Sequence, residues 1–125
     1  MFLGTHLLLY SRDPEADRAF LRDVLELRSI DAGHNWPIFT LPPAEVAIHP
    51  AENMEDTPAD RTASCDVYLM CRNLEPAIAT LAAKGVVCGP VQQARWGAVT
   101  TIPMPGGGKL GLYEPRHPLA IDVQS

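Results

Sequence analysis

Two stretches of this chain end in the same way, and that repetition limits the possible folds more than any other feature. "EVAIH" at residues 45–49 runs into Pro50, and "KLGLYE" at residues 109–114 runs into Pro115. Each is an apolar, strand-like run closed by an ionisable residue, His49 or Glu114, and then by a proline that cannot extend a ladder. The starts of the two units correspond as well. "HLLLYSRDPE" from His6 lies on "DVYLMCRNLE" from Asp66 at an offset of 60, whereas His49-Pro50 lies on Glu114-Pro115 at an offset of 65. The second unit therefore carries about five extra residues.

Between these ends the order of elements repeats. "THLLLYS" reads as a buried strand. "RDPEADRAFLRDVLEL" reads as a helix, with Asp13 as its cap and Pro14 at the first helical position, where the missing N–H would be unpaired anyway. Phe20, Val24 and Leu27, flanked by Ala16 and Leu21, form its apolar face. Three short strands are expected next, "LRSIDA", "WPIFTL" and "EVAIH", separated by turns at Gly33-His34-Asn35 and Pro42-Pro43. In the second unit "CDVYLMC" is a strand, and "NLEPAIATLAAKG" is a helix capped by Asn73 and stopped by Gly85. "VVCGPV", "WGAVTTI" and "KLGLYE" are three more strands, with "MPGGGK" as a tight turn before the last. The chain thus reads as one α+β domain made of two βαβββ modules, about 1–52 and 63–118, joined by a polar linker over 50–63.

A chain of 125 residues that is 46% hydrophobic and 20% charged can build one core without disulfide staples. Its net charge of -5 comes from intermixed acids and bases, so there is no basic stripe and nucleic acid is not an expected partner. The apolar start "MFLGTHLLLYSRD" is too short to span a bilayer and lacks a basic leader and a cleavage site. No membrane partner is expected, and the reading is cytoplasmic. Cys65, Cys71 and Cys88 are odd in number with no CxxC spacing, and they read as buried free thiols.

Strand alternation sorts the remaining residues. His6, Leu8 and Tyr10 share a face, as do Asp66, Tyr68 and Met70; Glu45, Ala47 and His49; and Leu110, Leu112 and Glu114. The opposite sets can pack against a helix, so the mixed sets are expected to face a shared concave space if the units curl together. His6, His49, Asp66 and Glu114 would then converge. Two imidazoles and two carboxylates suit a divalent ion such as Fe²⁺, Mn²⁺, Ni²⁺ or Zn²⁺, and charges so placed need either a metal or one another. Blander readings stand beside this one. His6 could be a surface or satisfied core histidine, His49 a strand-end imidazole bonded to the linker, Asp66 a turn former, and Glu114 an exposed strand end. His34 and His117, in turn and tail, read as solvated. Tyr10, Phe39, Tyr68 and Met70 are candidates to line a pocket, with a plain core role as the competing account.

The pattern resembles the vicinal oxygen chelate superfamily, which includes glyoxalase I, extradiol dioxygenases, fosfomycin-resistance transferases and bleomycin-resistance proteins. The resemblance covers about residues 4–118 and rests on "HLLLYSRDPEADRAFLRDVLEL", on the hairpin "RWGAVTTIPMPGGGKLGLYEP" and on the duplication. It implies an open, metal-centred barrel with ligands from the first and last strand of each module, here His6, His49, Asp66 and Glu114. It also implies an aromatic near the cavity mouth, here Trp96. The family's usual Asp-Pro-x-Gly turn is Met104-Pro105-Gly106-Gly107-Gly108 in this chain. Asp66 stands where the dioxygenases and fosfomycin enzymes have His, and His49 stands where glyoxalase I has a carboxylate or Gln.

The implied function is that of a divalent-metal-dependent enzyme, either a glyoxalase-type lyase or isomerase or an extradiol-type dioxygenase, acting on a small-molecule substrate. The ion would bind two vicinal oxygens and stabilise an enediolate, alkoxide or catecholate, while Asp66 or Glu114 moved a proton. The alternative is a metal-free, bleomycin-resistance-like protein that sequesters an apolar or aromatic molecule. A homodimer is expected from the resemblance, with modules paired within or across chains.

Overall fold

The computed structural model describes residues 1, 3–48 and 65–121. His49 and the linker over 50–63 lie outside the described residues.

Helix α1 (Pro14–Asp23) forms where its local chemistry asks for it. The Asp13 side chain accepts the Ala16 N–H at 3.1 Å, Pro14 opens the helix, and Glu15 and Asp17 sit at the positive end of its dipole. The helix stops short of the expected Leu27. The N–H groups of Val24 and Leu25 both turn back to the Phe20 carbonyl, and Glu26 takes a left-handed φ of 57°. Helix α2 (Leu74–Ala83) buries Leu74 and Leu81, with Ala77 and Ile78 beside them, a three- and four-residue stripe facing the core. Gly85, at φ 83°, closes it as expected. Asn73 occupies the N-cap position, yet its side chain makes no capping hydrogen bond. Glu114 supplies one instead, its Oε1 accepting the Leu74 N–H at 3.0 Å. Both helices have ten residues, and among the described residues no helix is long and apolar enough to cross a membrane.

The strands fall in two sheets. Strands β1 (Ser29–Asp31) and β2 (Pro37–Phe39) form an antiparallel hairpin. Strands β3 (Tyr68–Met70), β4 (Gln92–Ala94), β5 (Gly97–Pro103) and β6 (Lys109–Pro115) form a four-stranded sheet in the order β3-β6-β5-β4. Strand β3 runs parallel to β6, which requires the long crossover that α2 begins. Residues 68–115 therefore carry one complete β-α-β-β-β succession.

The first half is less regular than its sequence suggests. Neither "THLLLYS" nor residues 44–48 join a ladder among the described residues, so only the β1–β2 hairpin of the expected four-stranded unit is present. A ladder needs a partner edge as well as strand-like composition. "VVCGPV" also forms no strand. β4 lies just beyond it, and Pro90, with no N–H to give, sits where the ladder would have had to run.

Register divides the larger sheet into two faces. Ala98↔Glu114, Thr100↔Leu112 and Ile102↔Leu110 lie on one; Val99↔Tyr113 and Thr101↔Gly111 lie on the other, joined by Tyr68↔Gly111 and Met70↔Tyr113. The first face carries the core. Ile102, Ala98, Leu110 and Leu112 are buried there with Leu74, Leu81 and Val86, and with Phe20 from α1. Thr100 is buried among them, its hydroxyl donating to the Gly89 carbonyl at 2.6 Å. The hairpin turn at Met104–Gly108 is fastened to α1. The Gly106 N–H donates to Asp17 Oδ1 at 2.7 Å in a buried bond, and the Arg12 N–H donates to the Gly106 carbonyl at 3.2 Å.

Candidate functional site

The helices cover one face of the larger sheet, and the other face is aromatic. Tyr113, in the central strand β6, has the Tyr68 ring 5.6 Å away at 86° and the Trp96 ring 5.7 Å away at 74°. It is therefore flanked by two rings standing nearly perpendicular to it, the edge-to-face arrangement that ring quadrupoles favour. The imidazole of His117 stacks on Tyr113 at 6.1 Å and 24°. Gly111 makes room for this packing, because a Cβ at that position would overlap the Tyr68 ring carbons. A glycine inside a strand often marks such a close approach.

The polar groups at this face can be ordered by what each can donate. His117 Nδ1 lies 2.8 Å from the Pro118 carbonyl, which can only accept, so Nδ1 carries the proton in the neutral ring. Nε2 is then the acceptor, and the Tyr113 hydroxyl donates to it across a long 3.4 Å. Glu45, on the extended segment before the linker, is half-buried, and its Oε1 accepts the Ala120 N–H at 2.9 Å. The tail is thus held at two points beside the aromatic face, His117 on Tyr113 and Ala120 on Glu45. Burial, then the Glu45 carboxylate and Tyr68, push the Tyr113 phenol above its ordinary titration range.

The residues singled out from sequence are distributed differently from the expected cluster. His6 and Asp66 are exposed, the first on the extended N-terminal segment and the second just ahead of β3. Glu114 lies on the helix side of the sheet. It lies in register with the buried Leu110 and Leu112, so it faces α2 and not a shared concavity. One of its oxygens caps α2, and Arg116 approaches the other at 3.7 Å. The capping need explains the placement, since an N-terminus left uncapped by Asn73 draws a carboxylate. Among the described residues no group of three or more His, Cys, Asp or Glu side chains could hold a metal ion. His49 lies outside the described residues, and the Glu114 carboxylate expected beside it is engaged at the start of α2.

Of the expected pocket residues, Tyr68 and Met70 lie on the open face, and Trp96 stands edge-on to Tyr113. Phe39 is half-buried in the smaller hairpin, and Tyr10 is 91% exposed. Gly111 and Tyr113 fall outside the expected site, and Glu45 enters it only as a face-mate of His49. Gly111 was the available signal, because an isolated glycine in a strand pattern points to something passing close by. His117, expected in solvent, is half-buried and stacks on Tyr113. A shallow hollow of about 350 Å³ opens on the helix side, lined by Phe20, Val86, Val87 and Met104 among others, and it carries no ionisable side chain.

No family model matches the sequence, and no curated protein does either. Solved structures match over nearly the full length. An antibiotic binding protein from a Streptomyces species is 17% identical with a TM-score of 0.56, over 92% of this chain and 99% of that one. A lactoylglutathione lyase from Agrobacterium tumefaciens is 17% identical with a TM-score of 0.55, over 88% and 91%. A member of the glyoxalase/bleomycin resistance protein/dioxygenase superfamily from Sphaerobacter thermophilus is 19% identical with a TM-score of 0.54, over 90% and 97%.

Proposed function

We propose that this chain, which has the fold of the vicinal oxygen chelate proteins, is a metal-independent binding protein that takes a small planar aromatic molecule against the open face of its larger sheet. One observation carries the reading: Tyr113 sits between two half-exposed rings, Tyr68 and Trp96, on the sheet face that the helices do not cover. The engagement of Glu114 at α2 supports the metal-free form of the reading. An antibiotic binding protein among the structures that share the fold supports the reading.

The test is calorimetric titration of EDTA-treated protein with 2-naphthol, a neutral planar probe. Saturable binding is expected, weakened about fivefold or more by Tyr113→Ala, since one edge-to-face ring contact is worth about 1 kcal/mol beyond its buried area. Binding that appears only after Fe²⁺, Mn²⁺, Ni²⁺ or Zn²⁺ is added would overturn the proposal and restore the metal enzyme.

The same reading includes a cytoplasmic homodimer. Val46 and Ile48 are 88% and 93% exposed, and Leu8 and Leu9 also face solvent, on segments that join no ladder among the described residues. Such rows are what a second copy would cover. Sedimentation equilibrium should give twice the chain mass, and Val46→Lys with Ile48→Lys should return it to the monomer.

A further inference from the structure

We propose that the aromatic cluster around Tyr113 binds an organic cation, specifically an alkylated ammonium group, with Glu45 as its counter-charge. This rests on the binding-protein reading above and adds a charged group to the ligands that the same face would take. The rings of Tyr68, Tyr113 and Trp96 meet at centroid distances of 5.6 and 5.7 Å with the outer two nearly perpendicular to the middle one. The faces of such rings are electronegative and attract cations, tryptophan most strongly.

A carboxylate stands at the same place. Glu45 is half-buried, while Val46 and Ile48 beside it are turned almost fully to solvent. Its Oε1 is fixed by the Ala120 N–H, and Ala120 belongs to the short tail whose His117 stacks on Tyr113. Among the described residues the ion pairs involve Asp23, Glu26 and Glu114, and Glu45 is in none of them. Among the described residues no cation pairs with this half-buried carboxylate, and a cationic ligand at the rings would be attracted to it. The field of Glu45 reaches the ring system, since it helps raise the Tyr113 phenol. Arg116, the basic residue closest to Tyr113 in sequence, is turned to Glu114 on the helix side.

These features select among ligand classes. An anion meets Glu45 and the ring faces and is repelled by both. A small inorganic cation keeps its water more readily than it trades it for aromatic carbon. An alkylated ammonium is weakly hydrated, fits against rings, and still carries the charge that Glu45 lacks.

The experiment compares choline with 3,3-dimethylbutan-1-ol, its neutral counterpart of nearly the same shape, by fluorescence titration. The protein is the full chain carrying Trp36→Phe, which leaves Trp96 as its one tryptophan. Choline should bind about tenfold more tightly than the alcohol. Glu45→Gln keeps an acceptor for the Ala120 N–H, and it should remove most of that preference while leaving the affinity for the alcohol unchanged. Equal affinity for the two probes, or a preference that survives Glu45→Gln, would overturn the proposal. If 2-naphthol still binds in that case, the binding-protein reading stands without the cation. If 2-naphthol fails as well, both readings fall.

Discussion

Replacing Glu114 distinguishes a helix cap from a metal ligand. In the structure its carboxylate receives the Leu74 N–H at 3.0 Å, and its side chain is 26% exposed. Loss of a capping acceptor costs about 1 kcal/mol, and loss of a negative charge at a helix N-terminus adds about 0.3–1 kcal/mol. Glu114→Ala should therefore destabilise the fold by about 1–2 kcal/mol. For a chain of this size that corresponds to a fall in Tm of roughly 4–8 °C, measured by circular dichroism. Glu114→Gln retains an oxygen that can accept the Leu74 N–H and loses only the charge, so about 0.5 kcal/mol is expected. Asn73→Ala should cost less than about 0.5 kcal/mol, because the Asn73 side chain makes no capping bond. The reasoning is refuted if Asn73→Ala proves the more damaging change. It is equally refuted if Glu114→Ala leaves Tm unmoved but abolishes stoichiometric metal in elemental analysis of untagged protein.

Three further outcomes are expected. Ile102 is fully buried between the sheet and both helices, so Ile102→Ala should cost about 2–5 kcal/mol in chemical denaturation, more than any exposed leucine of the N-terminal segment. Burial raises the thiols of Cys71 and Cys88, and Cys65 is exposed; iodoacetamide at mildly alkaline pH should therefore label Cys65 first, as peptide mass spectrometry would show. The Tyr113 phenol is raised by burial, by Glu45 and by Tyr68, so its stabilising contribution is intact below the ordinary tyrosine range and is lost as pH climbs through the raised one. Glu45→Gln should lower that midpoint in ultraviolet difference spectra, and an unchanged midpoint would contradict the placement of Glu45.

Much of the architecture was legible where the signal is local. Asp13 and Pro14 mark the start of α1, Gly85 marks the end of α2, and the glycine-rich turn before β6 falls where the sequence puts it. Face assignment was less legible because it depends on which side of a sheet the helices occupy. Along β6 the alternation is plain, but a set with two leucines and one glutamate can face a core as well as a cleft. Leu110 and Leu112 settle it, their burial carrying Glu114 to the helix side and leaving Gly111 and Tyr113 on the other. Cross-strand partners were illegible for a different reason. "THLLLYS" has a strand's composition, but composition does not specify an edge for it to join. The role of His117 depends on a ring in β6 whose position the tail's own sequence does not reveal.

The bond between Asp17 and the Gly106 N–H bears on how the molecule comes to be folded. Its ends are 89 residues apart, whereas β5 and β6 are joined by a turn of a few residues. Closing the long loop sacrifices far more chain freedom than closing the short one. If the β5–β6 hairpin organises first, the seating of α1 on its turn falls on the native side of the barrier. On that account Asp17→Asn should leave the refolding rate nearly unchanged and hasten unfolding. The carboxylate of Asp17 then acts as a late fastener, governing how long the folded chain persists more than how quickly it is reached.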